Sequence, residues 1–315
     1  MKKLLCSMLL CWISLNGYSQ HRPFGKYLVV IGIDGLSPHG IAQAKTPHLD
    51  SLMRVGAYSM QARAVLPSYS SPNWASMLNG VTPQEHGITS NVWKTVPLKR
   101  ESHCGEKASK LWPTIFQVAR RNEPNADIAC FHHWKGFAQL IETEVFTMLK
   151  NTEDEDKTAQ EAGAYIVANK PRFTFIHFDH VDHTGHHIGW ESKAYYRAVA
   201  KADSLIGMLV ASIRAAGMAD ETVLLITSDH GGHRRHHGGT SLAEVEIPWI
   251  ITGPGIERNK QLTEPIQTYD TAATLAYILG DTAPECWLGR PVKTAFAETL
   301  AEDKRAFVLP LSSKP

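Results

Sequence analysis

Short apolar runs recur along the chain and alternate with longer stretches whose apolar positions follow helical spacing. "YLVVIGI" (27–33) opens the series, followed by "ADIACF" (126–131), "EVFTML" (144–149), "RFTFIHF" (172–178), "ETVLLIT" (221–227) and "IPWIITG" (247–253). Runs that are apolar on both faces predict central strands of a parallel sheet covered on both sides. Between them, "TPHLDSLMRVGA" reads as a helix with Thr46 at its N-cap and Pro47 at its first position. "WPTIFQVARR", "EDKTAQEAGAYIVANK", "SKAYYRAVAKADSLIGMLVASIRAAG" and "YDTAATLAYILG" read as further helices. Strands alternating with helices predict an α/β fold, a mostly parallel central sheet with helices on both faces. The chain shows no internal repeat and no low-complexity linker. Residues 92–160 are expected to form a small cap over the substrate, within a catalytic domain spanning 20–302, with 303–315 as a tail.

At 315 residues, 43% hydrophobic and 20% charged, the chain has the balance of an ordinary globular protein. The opening "MKKLLCSMLLCWISLNGYSQ" reads as a signal peptide over residues 1–19, with a basic start, an apolar middle and a small-x-small cleavage site. Its apolar run is too short to stay in a bilayer, so the mature chain is expected to be exported, periplasmic or secreted, without a transmembrane segment. Cleavage removes two lysines and no acids, taking the net charge from +1 to −1. That balance argues against an obligatory nucleic-acid partner. Export permits a disulfide. Of the three cysteines beyond the leader, Cys104 and Cys286 lie in loop-like stretches and Cys130 ends an apolar run, so one Cys104–Cys286 bridge or three free thiols both fit.

Three predicted strands end in acids and histidines. Asp34 follows the first, "FDHVDHTGHHIGW" (178–190) overlaps the end of "RFTFIHF", and "SDHGGHRRHHGG" (228–239) follows "ETVLLIT". In open α/β sheets ligands bind beyond the carboxyl ends of the strands, so the fold would gather these residues at one rim. A loop of surface histidines would explain any one cluster, but not the recurrence. Asp and His without thiolate suit zinc, ahead of manganese or iron. Asp182 and His186 are four apart, yet Thr184-Gly185 disfavours a helix, which predicts a tight turn aiming both inward. "LPSYSSPNWASMLNGVTPQEHGI" (66–88) packs serines before a helix-like segment. A serine there is either a nucleophile at the positive end of a helix, near free N–H groups that suit an oxyanion, or simply an N-cap.

Taken together, "IGIDG", "SSPNW…NGVTPQEHGI", "DHTGH" and "TSDHGG", in this order, resemble the type I phosphodiesterase/nucleotide pyrophosphatase branch of the alkaline phosphatase superfamily. The resemblance implies a two-zinc hydrolase of small phosphate esters or nucleotide-type substrates. Matching the family's nucleophile motif to "SSPN" (70–73) makes Ser70 the nucleophile, Asn73 the phosphoryl-oxygen donor and Ser71 a cap. It assigns Asp34, Asp229 and His230, with Ser70, to one zinc, and Asp182, His186 and one more histidine to the other. Many relatives take that last ligand from far downstream, but here no histidine follows His237. His237 before Gly238-Gly239 is therefore the choice, His236 the second candidate, and His233 is expected at the rim. His86, His132 and His133 are expected to be structural. Trp74, Trp93, Trp134 and Trp190 are candidates for stacking on a nucleobase.

Two related chemistries fit less well. A sulfatase would need an arginine where Trp74 stands, and a cofactor-independent mutase a larger insertion than 92–170. An alkaline phosphomonoesterase on the same site is the main alternative: it would be expected to fork an arginine onto its substrate, and none adjoins Ser70, although an arginine or lysine from elsewhere in the chain would serve. A non-catalytic zinc binder explains the histidines but leaves "SSPN" without a task.

Overall fold

Strand β1 (Tyr27–Ile33) is buried at every residue and lies at the centre of an eight-stranded sheet. The structure is a computed structural model that describes residues 24–94, 111–152 and 154–297. The other strands are β2 (Ala57–Arg63), β3 (Ile128–His132), β4 (Met148–Asn151), β5 (Phe173–Phe178), β6 (Thr222–Thr227), β7 (Glu246–Thr252) and β8 (Lys260–Gln261). Their order across the sheet is β4-β3-β5-β1-β6-β7-β2-β8. Pairing is parallel from β4 through to β6, antiparallel where β7 meets β6 and β2, and parallel again at β8. The fold is thus α/β with a mostly parallel sheet.

Helices cover both faces. They are α1 (Pro38–Gln43), α2 (Pro47–Val55), α3 (Ser70–Asn79), α4 (Pro83–His86), α5 (Ile115–Asn122), α6 (Glu155–Asn169), α7 (His180–His187), α8 (Lys193–Ala215), α9 (Leu242–Val245) and α10 (Asp270–Leu279). Alternate residues of β1 feed the two cores. Leu28 and Val30 join Trp74, Phe116, Phe137 and Leu275, whereas Val29, Ile31 and Ile33 join Leu49, Ile166, Tyr195 and Leu205. Pro47 starts α2 after Thr46, whose side chain makes no capping bond. Instead the buried carboxylate of Asp203 on α8 accepts from the His48 and Leu49 N–H groups.

Several expectations change. The run "EVFTML" splits into a short 3₁₀ turn, Thr143–Val145, and the start of β4. β2 was not evident as a strand, because its polar "AYSMQAR" alternates between buried and open positions. The segment expected to cap the substrate instead supplies α5, β3 and β4 to the main fold; residues 95–110 lie outside the described residues. So do the proposed leader, the tail 303–315 and Cys104. Cys286 is disulfide-bonded. Cys130 is free and buried, and burial pushes its thiol pKa far up. No helix among the described residues is long and apolar enough to cross a membrane.

His86 is a structural group. Its Nδ1 accepts from Ile88 N–H at 3.0 Å, leaving its other ring nitrogen to donate to Ser76 Oγ at 3.0 Å. Burial lowers its pKa from 6.5 to about 3. The unfolded chain therefore binds more protons between those values, so the stabilisation is full above about 6.5 and is lost as pH falls through the window. We expect denaturant-derived stability to decline on acidification across this range, and His86→Gln to reduce the slope by about one proton. Equal slopes for the two proteins would place the acid sensitivity elsewhere.

Candidate active site

β5, β1 and β6 are neighbours, and the chain leaves their carboxyl ends carrying acids. Asp34 N–H donates to the Phe178 carbonyl at 2.8 Å, and Asp182 N–H donates to the Asp34 carbonyl at 3.1 Å. Gly35 N–H donates to Asp229 Oδ1 at 3.1 Å. Gly35 has φ +68°, and a Cβ there would lie 2.8 Å from Asp182 Cα, so only glycine lets the strand ends close together.

Asp182 and His186 lie on a helix, not on the tight turn expected from Thr184-Gly185. α7 places them one turn apart on one face, with His186 Nε2 3.5 Å from Asp182 Oδ2. Tertiary packing overrides propensity here. Thr184 Oγ1 donates back to the His180 carbonyl at 2.8 Å, and Gly185 makes room for the Trp190 ring, which a Cβ would approach to 2.7 Å.

The loop after β6 is held from both sides. His233 and His236 exchange backbone hydrogen bonds of 2.9 and 3.0 Å, making Arg234 and Arg235 the tip of a hairpin. The Glu191 carboxylate accepts from His233 Nδ1 at 2.8 Å and from Arg234 N–H, while Trp190 N–H donates to the Arg234 carbonyl at 2.7 Å. His233 and His236 are exposed. His237 turns back inward: its Nδ1 donates to the Ser68 carbonyl at 2.9 Å and its ring stacks on His230 at 3.7 Å. Gly238 adopts φ +107° against the Tyr69 ring, where a side chain would clash.

Two groups of ligand atoms result, Asp34–Asp182–His230 and Asp182–His186–His237, each within 4.8 Å. Asp229 lies beside the first, its Oδ2 3.2 Å from His230 Nε2. These residues fit metal ions on three counts. Asp34 Oδ1, Asp182 Oδ1 and Asp229 Oδ2 are buried with no hydrogen-bond partner among the described residues. The Nδ1 atoms of His186, His230 and His237 each donate to a backbone carbonyl, of Arg235, Gly231 and Ser68. This frees every Nε2 as a ligand atom. Finally, His186 Nε2 and His237 Nε2 face each other at 3.0 Å, repulsive for two lone pairs unless a cation or proton lies between.

The electrostatics agree. Burial, then the Asp34 charge, raise the pKa of both Asp182 and Asp229 well above the ordinary range. Against burial, the close imidazoles of His177 and His230 hold Asp34 below that range. Desolvation opposes a charged His230, but Asp229, Asp34 and Asp182 together raise its pKa to about 10. The nest thus stabilises positive charge at His230 Nε2, where a bound cation would substitute for the proton. His237 is driven the other way, to about 3, by burial and then by the His230 charge.

Ser70 is the first residue of α3, following Tyr69 at the N-cap, and its Oγ lies 3.2 Å from His230 Nε2. Ser71 is not the cap; its N–H donates to Asn91 Oδ1 at 2.8 Å. The helix terminus offers few free donors, because Pro72 has no N–H and Asn73 N–H bonds the Tyr69 carbonyl. The expected phosphoryl donor Asn73 is also committed. Its Oδ1 accepts from Val65 N–H at 2.7 Å, and its Nδ2 reaches the Val65, Pro67 and Tyr69 carbonyls. Fully buried, it ties down the turn before the helix. Asn91 is the amide at Ser70, with Nδ2 3.4 Å from Ser70 Oγ. The sequence offered no local signal for it, since a loop 21 positions on supplies it. Trp74 and Trp190 are buried and offer no open ring face, whereas Trp93 and Trp134 pack against the core and are half-buried. His132 is buried, with Nδ1 2.9 Å from the Trp134 carbonyl, and His133 lies beside it.

Sheet order, site and helix placement define an alkaline phosphatase-like fold, and solved structures agree. An inactive variant of murine ectonucleotide pyrophosphatase/phosphodiesterase 5 in complex with AMP superposes with TM-score 0.67 at 16% identity, covering 82% of this chain and 96% of that one. A 2-O GAG sulfatase gives TM-score 0.67 at 16% identity, covering 85% and 73%. The type I phosphodiesterase/nucleotide pyrophosphatase family matches residues 28–238, and the chain belongs to that family. Human ectonucleotide pyrophosphatase/phosphodiesterase family member 5 is 23% identical over 73% of this chain and 50% of its own length. The bis(5'-adenosyl)-triphosphatase of Mus musculus is 25% identical over 70% of this chain and 51% of its own. The chain spans about half the length of these curated relatives.

We expect His237→Ala to lower the amount of metal bound per chain, while His233→Ala and His236→Ala leave it unchanged. Elemental analysis of the purified variants decides it, and undiminished metal in His237→Ala would refute the ligand assignment.

Proposed function

We propose that the protein is a two-zinc hydrolase of phosphoric esters, acting on nucleotide-type diesters through a phosphoryl-serine intermediate. The observation that carries this is Ser70 Oγ, 3.2 Å from His230 Nε2 at the edge of the carboxylate nest. Asp34, Asp229 and His230 would hold one zinc beside Ser70, and Asp182, His186 and His237 the other. Bound zinc would favour the Ser70 alkoxide and neutralise charge on the attacking and leaving oxygens. Ser70 Oγ, having given up its proton, attacks phosphorus; the bond from phosphorus to one ester oxygen breaks, that oxygen takes up a proton and leaves as the alcohol, and a phosphoryl-serine that keeps the other ester group results. Asn91 Nδ2, aimed by the Ser71 N–H on its Oδ1, donates to a phosphoryl oxygen as charge grows there. Water enters from the opposite side, frees Ser70 and leaves net retention at phosphorus. The neutral amide of Asn91 suits a monoanionic diester better than a dianionic monoester. The opening residues 1–19 support export to the periplasm or medium as the setting.

Ser70→Ala should remove nearly all turnover while leaving the fold intact. Asn91→Ala should cost about 10²–10³ in kcat, the scale of one lost oxyanion donor. Asn73→Ala should instead destabilise the protein by roughly 3 kcal/mol, since it orphans buried backbone groups. Rates on a nitrophenyl nucleotide diester against a nitrophenyl phosphate monoester test the class. Diester preference, abolished by chelation, is expected; activity retained by Ser70→Ala or by metal-stripped protein would overturn the mechanism.

A further inference from the structure

Asp34 uses its two oxygens differently. Oδ1 faces His230 Nε2 at 3.3 Å and has no hydrogen-bond partner among the described residues. Oδ2 accepts from the Trp74 indole N–H at 3.0 Å and lies 3.4 Å from His177 Nε2. Trp74 comes from α3 and His177 from β5, and both are fully buried. Their rings meet edge-on at 4.9 Å. The indole cannot swing away. Phe137 and Phe175 pack edge-on against it at 5.8 and 6.2 Å, and it fills the space beside Gly32, where a Cβ would lie 2.5 Å from the ring.

A buried indole N–H needs an acceptor, and a main-chain carbonyl would serve. Here the acceptor is a carboxylate aimed at the metal site. We propose that Trp74 and His177 are positioning residues that clamp Asp34 Oδ2 and so present Oδ1 alone to the metal beside Ser70. The inference rests on the two-metal reading above. A carboxylate with one oxygen held by the indole N–H and flanked by His177 Nε2 at 3.4 Å is hindered from rotating to chelate through both, or from turning away when the site is empty. Groups that orient metal ligands in this way typically set affinity by 10- to 100-fold, roughly the scale expected here.

Zinc binding by the full, metal-stripped protein tests this, using competition with a chelating dye. The His237→Ala background isolates the site of Asp34, and Asp229→Asn isolates that of Asp182. Trp74→Phe keeps a ring and removes the N–H. It should weaken zinc about 10- to 100-fold in the first background and by less than about threefold in the second. His177→Leu should act in the same direction, and His177→Gln, which keeps an N–H donor, should recover most of the loss. If Trp74→Phe does not fold, the His177 pair decides alone. Unchanged affinity in the first background, or equal losses in both, would overturn the proposal, the latter marking general damage to the core. Unmutated protein that binds no zinc would overturn the two-metal reading as well.

Discussion

Three carboxylates crowd one imidazole nitrogen. Asp229 Oδ2, Asp34 Oδ1 and Asp182 Oδ1 lie 3.2, 3.3 and 4.0 Å from His230 Nε2, all beyond reach of bulk water. Like charges so close in a buried site repel strongly, and the protein's own groups answer with one protonated histidine and raised carboxyl pKa values. A cation at this point would make the arrangement favourable. The rest of the structure serves that gathering. Three adjacent parallel strands bring the acids together, and glycine at 35 lets the strand ends approach.

Much of this was legible in the chain because buried parallel strands announce themselves. β1, β5 and β6 are continuous apolar runs, and the acids that follow them fall at one rim by topology alone. What was hidden depended on tertiary contacts. α7 forms against its local propensity because Trp190 fills the space left by Gly185. Asn73 looked like a substrate ligand because of its place in the motif, yet its amide has four backbone partners and nothing left to offer. Asn91 and His177 could not be paired with Ser70 and Asp34 before loop and strand were placed in space. β2 was missed for a simpler reason: its half-buried polar pattern carries little signal.

The site combines two kinds of support. Asp34, Asp229 and His230 stand where strands end, fixed by the sheet. His237 stands on a loop without regular structure, and the clasp of Glu191, Trp190 and Ser68 performs the same service through individual hydrogen bonds. Ser70 is intermediate. The helix fixes its backbone, and Asn73 fixes the turn that leads into it. Reacting groups are therefore ordered before substrate arrives, which lowers the entropic part of the barrier.

The fit between Gly32 and Trp74 also has an evolutionary side. The indole occupies the volume that any side chain at 32 would need, so neither position can drift alone. A larger residue at 32 displaces the ring, and a smaller one at 74 leaves a void beneath the carboxylate. Descendants of this chain would have to change both positions within a few mutational steps or neither, so substitutions there should appear as a covarying pair. That constraint joins one of the least conspicuous residues of the central strand to the history of the helix that carries Ser70.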